Sequence, residues 1–126
     1  MQDEFVTRDS GKREKFETGA QRDIRDGKGR YDLLSSMAIH RWAQLMERGA
    51  KKYDANNWRK GMPLGRFLDS ALRHLHQVLQ NDTSEDHAAA VMFNISAYME
   101  TKDRIEKGEL PKELDDLGHT NVKEHK

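Results

Sequence analysis

The chain contains no cysteine. That excludes a disulfide framework, a thiolate metal site and a Cys-His nucleophile. No strand–turn–helix elbow accompanies a serine either, so acyl-transfer chemistry has no support. It also lacks an apolar run of membrane-spanning length, and its first residues lack the apolar segment of a signal peptide. The expectation is a soluble cytoplasmic protein with no membrane partner. Net charge is absent too: 22 basic residues balance 22 acidic ones. Sequence-independent DNA binding needs a net or strongly clustered positive surface, and no recognition-helix pattern is visible, so no specific DNA binding is expected. Apolar residues are scarce, at 35% against 35% charged. A core built from 126 such residues is small, and a single domain of this kind often adds stability by self-association. No repeat, no low-complexity tract and no sustained period-two alternation occurs, so no strands are expected.

Helical periodicity is what the chain does have. One helix is expected from about Ser36 to Arg48, capped by Ser35 or Ser36 and ended by Gly49 in the left-handed conformation. Ile39, Trp42, Ala43 and Met46 form its apolar stripe; His40 and Arg41 fall off it. A second runs from about Leu64 to Gln80 behind Pro63, with Leu64, Leu68, Leu72, Leu75 and Leu79 in one seam. Phe67, Ala71, His74 and Val78 form the adjacent seam, and Asn81, Asp82 and Thr83 give the turn that follows. A third runs from Ser84, its expected N-cap, to about Ile105, with Ala88, Val91, Met92, Ile95 and Met99 as its stripe. Gly108 and Pro111 end it.

The fold class read from this is all-α: a compact bundle of about three main helices, completed by oligomerisation, with flexible charged termini. Residues 1–25 form a charged arm, 26–105 the helical domain and 106–126 a charged tail. Phe5, Val6 and Phe16 docking the first arm is the alternative, and Leu110, Leu114 and Leu117 allow a short helical segment in the tail.

Three constellations can carry chemistry. In "GKGRYDLL", residues 27–34, Lys28 and Arg30 offer charge to phosphate and Tyr31 a face to stack a base. A P-loop is excluded by the glycine spacing. In "GAKKYDANNWRKG", residues 49–61, Lys51, Lys52, Arg59 and Lys60 are cations, Asn56 and Asn57 amides, and Tyr53 and Trp58 flat faces. That combination suits a nucleotide: cations for phosphate, amides for base edge or sugar, aromatics for stacking. The competing reading is a long connection whose aromatics plug the core. The third is a set of polar residues on inner helix faces: Arg73, His74 and Gln77, with Asp86, His87 and Asn94. Buried polar groups need partners, and a cluster beside a cationic loop points to a pocket. A zinc site of His74, His87 and Asp86 is a further geometry, opposed by the different directions of adjacent Asp86 and His87.

In order along residues 17–100, the motifs G-K-x-R-Y-D-L-L, G-A-x-K-Y, N-W-x-K-G, A-L-R-H-L and D-H-x-A-A resemble a phage and bacterial family. It is the dATP/dGTP diphosphohydrolase N-terminal domain, near the MazG-type all-α nucleoside triphosphate pyrophosphohydrolases. The resemblance implies an α-helical homo-oligomer that binds a purine deoxynucleotide. It further implies cleavage between the α- and β-phosphates with Mg²⁺ or Mn²⁺, in the host cytoplasm if phage-encoded. The wider class holds its metal with helical E-E-x-x-E and E-x-x-D carboxylates, as a hard cation requires. Laid on this chain, that signature falls on Arg73, His74 and Gln77, then on Val91 and Asn94, none of them acidic.

The candidate catalytic groups are therefore Glu47, Asp69, His74 and Asp86, with Asp32 and Glu100 as further acids. The candidate ligand contacts are Lys28, Arg30, Lys51, Lys52, Asn57, Trp58, Arg59, Arg73, His87 and Asn94. A protein that sequesters a nucleotide signal, cyclic ones included, to counter host defence is the alternative without turnover, and it needs no cofactor. A purely structural or regulatory helical module is the third reading.

Overall fold

In the computed structural model, which describes residues 4–121, three helices carry the fold: α1 (Ser36–Lys52), α2 (Leu64–Leu79) and α3 (His87–Glu106). The chain divides into two compact units, one up to Leu34 and one from Ser35 onward.

The first unit holds a hairpin that the sequence pattern does not announce. Strands β1 (Arg13–Lys15) and β2 (Gln21–Asp23) pair antiparallel, with Glu14 opposite Arg22. They are three residues each and almost wholly exposed, so no buried face imposes alternation. The turn and one carboxylate organise them instead. Gly19, at φ +87°, donates its N–H to the Phe16 carbonyl. Asp23 accepts from the Ser10 backbone and hydroxyl and from Lys28 Nζ at 2.7 Å. These bonds, Lys28 foremost, hold the Asp23 carboxyl far below the usual carboxylate range.

The second unit is built on α3, against which both α1 and α2 pack. Ser35 caps α1 by accepting from the Ala38 N–H at 3.1 Å. The helix does not stop at Gly49. It runs one turn further, because Ala50, Lys51 and Lys52 are good helix formers and an interior glycine costs only about 1 kcal/mol. Extended Tyr53 ends it. Asn81, at φ +55°, turns the chain out of α2. Ser84 is not the cap of α3. Its N–H and hydroxyl are both taken by Asp82 Oδ1, at 2.8 and 2.6 Å. Asp86 caps the helix instead, accepting from Ala89 N.

The α2–α3 contact is closed by small residues. Leu64, Phe67 and Ala71 meet Ala89, Ala90, Ala97 and Ile105, all buried. The expected α3 stripe lies elsewhere: Ile95 and Met99 are exposed, and the buried face carries His87, Asn94 and Thr101 among alanines. Alanines let the helices approach closely, and the larger apolar side chains stay outside. No residue of α1 is fully buried, and Leu72, Leu75, Val78 and Leu79 of α2 are also exposed.

The segment after α3 lies against the start of α2. Asp116 accepts the Gly65 N–H at 2.8 Å, and Leu114 and Leu110 sit beside Gly61. Among the described residues, the expected tail helix is a single 3-10 turn, Lys112–Leu114.

Candidate functional site

A cleft of about 930 Å³ opens in the second unit between the end of α1, the connector to α2, and the facing surfaces of α2 and α3. Helix α1 contributes Arg48 and Lys52. The connector contributes Tyr53, Asn56, Asn57 and Trp58, α2 contributes Ser70, Arg73 and His74, and the lead into α3 adds Glu85 and Asp86. Phe93 and Asn94 of α3 form the floor.

The connector is held by its own chemistry. Asn56 adopts the left-handed conformation at φ +65°, which asparagine tolerates better than most residues. Trp58 meets Phe93 edge to face, with centroids 6.1 Å apart. The Arg59 guanidinium lies over the Trp58 ring at 4.6 Å and donates to Asn56 Oδ1 and Glu100 Oε2. Arg104 donates to the Arg59 carbonyl. Arg59 is thus a brace that fixes Trp58 against α3 and does not line the cleft. Lys60 pairs with Asp54 at 3.2 Å.

Charge in the cleft is uneven. Its cations are Arg48, Lys52 and Arg73; its acids are Asp54, Glu85 and Asp86. Two of those acids are neutralised by cations outside the cleft, Asp54 by Lys60 and Asp86 by Arg41. The Arg41 guanidinium lowers the Asp86 carboxyl to about 2. Arg73 has one distant carboxylate, Asp69 at 3.9 Å. The balance left for a ligand is positive.

Behind the cleft wall, His74 Nδ1 lies 2.8 Å from His87 Nδ1. His87 is 2% exposed, and its Nε2 lies 3.3 Å from Asp82 Oδ1 without a well-aligned hydrogen bond. Burial, then the neighbouring His87 and Arg73, push the His74 imidazole below its ordinary pKa, with Glu85 pulling the other way. Asn94 is buried and donates to the Ala90 carbonyl at 2.8 Å.

The structure therefore brings Lys52, Asn57, Trp58, Arg73, His74, Asp86 and Asn94 to one cleft. His87 stands behind it, touching His74. Glu47, Lys51 and Asp69 are exposed and do not line it. Lys28 and Arg30 belong to the first unit, where they pair with Asp23 and Asp32. The carboxylates of the cleft do not converge: among the described residues, no three His, Asp or Glu side chains come together as a metal site. The two imidazoles spend their Nδ1 atoms on each other, so the His74, His87 and Asp86 zinc geometry does not form. Sequence reasoning missed Arg48, Glu85 and the Asp82 contact. The extra turn of α1 beyond Gly49, which the glycine concealed, carries Lys52 to the cleft.

No curated protein and no solved structure matches the chain. The family match covers residues 18–110, which include β2, all three helices and every residue that lines the cleft. The chain belongs to the family described as dATP/dGTP diphosphohydrolase, N-terminal.

Proposed function

We propose that the cleft binds a purine deoxynucleoside triphosphate and that the domain serves its hydrolysis to the monophosphate and pyrophosphate. The observation that carries the binding is the convergence of Arg48, Lys52 and Arg73 with Trp58 on one cleft, two of whose three acids are already paired with cations outside it. Guanidinium and ammonium groups take the phosphate oxygens, and Arg does so in a bidentate fork. Trp58 offers a stacking face and Asn57 an amide for base edge or sugar. The family description supplies the substrate class.

The described residues do not fit a resident carboxylate cage for Mg²⁺ or Mn²⁺. A divalent cation would instead enter as counter-ion of the triphosphate. The same deficit favours a second reading, in which the domain holds a nucleotide, cyclic ones included, without turning it over. The exposed apolar rows on α2 and α3 support assembly of several copies, which would cover Leu72, Leu79, Ile95 and Met99.

One incubation separates the readings. The protein is mixed with dATP or dGTP and with cyclic dinucleotides, in Mg²⁺ or Mn²⁺. Solution and heat-denatured protein fractions are then chromatographed. Pyrophosphate with dAMP or dGMP supports hydrolysis. Intact ligand released only by denaturation supports retention. Neither product nor retained ligand contradicts both.

A further inference from the structure

Buried His87 and half-buried His74 are joined through like atoms, which links the order of their protons. A hydrogen bond between His74 Nδ1 and His87 Nδ1, 2.8 Å apart, needs one nitrogen protonated and the other bare. The partner at the far end decides which. His87 is 2% exposed, and its Nε2 faces Asp82 Oδ1 at 3.3 Å. Asp82 is an ionised acceptor: the Ser84 hydroxyl and N–H, then His87, lower it to about 2. Even without an aligned bond, an anionic group 3.3 Å away favours the proton on His87 Nε2 by charge alone. Neutral His87 then has a bare Nδ1, which accepts from His74 Nδ1–H. Neutral His74 is left with a bare Nε2. His74 lines the cleft, and no hydrogen-bond partner takes that nitrogen from within the described residues.

We infer that Asp82 and His87 are positioning residues that hold His74 as the Nδ1–H tautomer, so that Nε2 accepts a proton from water or a hydroxyl in the cleft. The inference rests on the nucleotide reading only for what occupies the cleft; the tautomer stands without it. The charged and titratable groups facing His74 are Arg73 on its own helix, Glu85 in the lead to α3 and His87 on α3 itself. Burial, then any proton on His87 and the Arg73 charge, disfavour imidazolium at His74 and Glu85 favours it, so His74 is held as a base. Hydrolysis by this route balances simply. Water gives its proton to His74 Nε2, its oxygen forms the new bond to phosphorus, and pyrophosphate departs with the electrons of the broken P–O bond.

A histidine pair that merely satisfies itself has no reason to prefer this order. Long-range ¹H–¹⁵N correlation spectra of the imidazoles at neutral pH read the tautomers directly, with assignment from His74→Gln and His87→Gln. The expected result is His74 protonated at Nδ1 and His87 at Nε2. The reverse order, His74 protonated at Nε2, overturns the inference. Asp82→Asn keeps the turn and removes the charge. It should return a measurable share of His74 to the Nε2–H form and lower kcat for dGTP about tenfold, with KM little changed. An unaltered tautomer in Asp82→Asn overturns the positioning role of Asp82. dGTP added to wild type should shift the His74 Nε2 resonance. Saturation without such a shift overturns the role of Nε2, whereas no saturation at all contradicts the nucleotide reading and leaves the tautomer result standing.

Discussion

Arg41 and Asp86 meet as a two-pronged ion pair, with Nε 2.9 Å from Oδ2 and Nη2 2.5 Å from Oδ1. The same carboxylate accepts the Ala89 N–H at the start of α3. One side chain thus caps α3 and ties α1 to it. The tie matters because α1 has no fully buried residue to anchor it. Arg41 is nearly half exposed, so solvent screening keeps the contribution small. Arg41→Ala should lower the urea midpoint and weaken dGTP binding, since α1 carries Arg48 and Lys52. An unchanged midpoint together with unchanged binding would show that α1 is held by something else.

The pair also predicts a pH dependence with a definite sign. Arg41 lowers Asp86 from the ordinary 3.8 to about 2. A carboxylate depressed on folding adds stability above its unfolded pKa and loses it as pH falls through the folded value, here from roughly pH 4 to 2. The difference in urea midpoint between wild type and Asp86→Asn should therefore be constant at neutral pH and shrink across that acid window. A difference that grows on acidification contradicts the assignment.

Two glycines should respond oppositely to alanine. Gly61 has φ +106°, and a Cβ there would fall 2.9 Å from Leu114 Cδ1. Gly61→Ala should destabilise by about 1–3 kcal/mol through backbone strain and displacement of the tail. Gly49 is helical with nothing within 4 Å of an added Cβ. Gly49→Ala should stabilise by up to about 1 kcal/mol. Thermal melts of the two variants check both signs.

The contrast between these glycines shows what could be read from the sequence. Ser35, Pro63 and Asn81 mark helix boundaries through local chemistry, and the structure uses all three. Gly49 carries the same local signal as a terminator, yet flanking helix formers override it. The α3 stripe misleads for a tertiary reason. Val91, Ile95 and Met99 are the larger side chains, but the close approach to α2 selects alanines. Within the site, the connector stands out in sequence because its composition is unusual. Asp82 and Arg41 do not, because their partners are set by a turn or lie 45 residues away. Nothing in composition distinguishes Lys52, which lines the cleft, from Lys51, which does not.

The exposed apolar row on α2 makes a prediction about assembly. Leu72 and Leu79 are 60% and 77% exposed, more than an isolated chain needs. Multi-angle light scattering should find more than one copy for wild type and a lower mass for Leu72→Glu with Leu79→Glu. A monomeric wild type refutes the assembly proposal, as does an unchanged mass in the double variant.

The most direct test of the account is a calorimetric titration of dGTP into wild type, Lys51→Ala and the double variant Lys52→Ala with Arg73→Ala. The cleft reading predicts saturable binding in wild type, nearly the same affinity in Lys51→Ala, and a loss of tenfold or more in the double variant. No binding by wild type, or equal affinity in all three proteins, would contradict it.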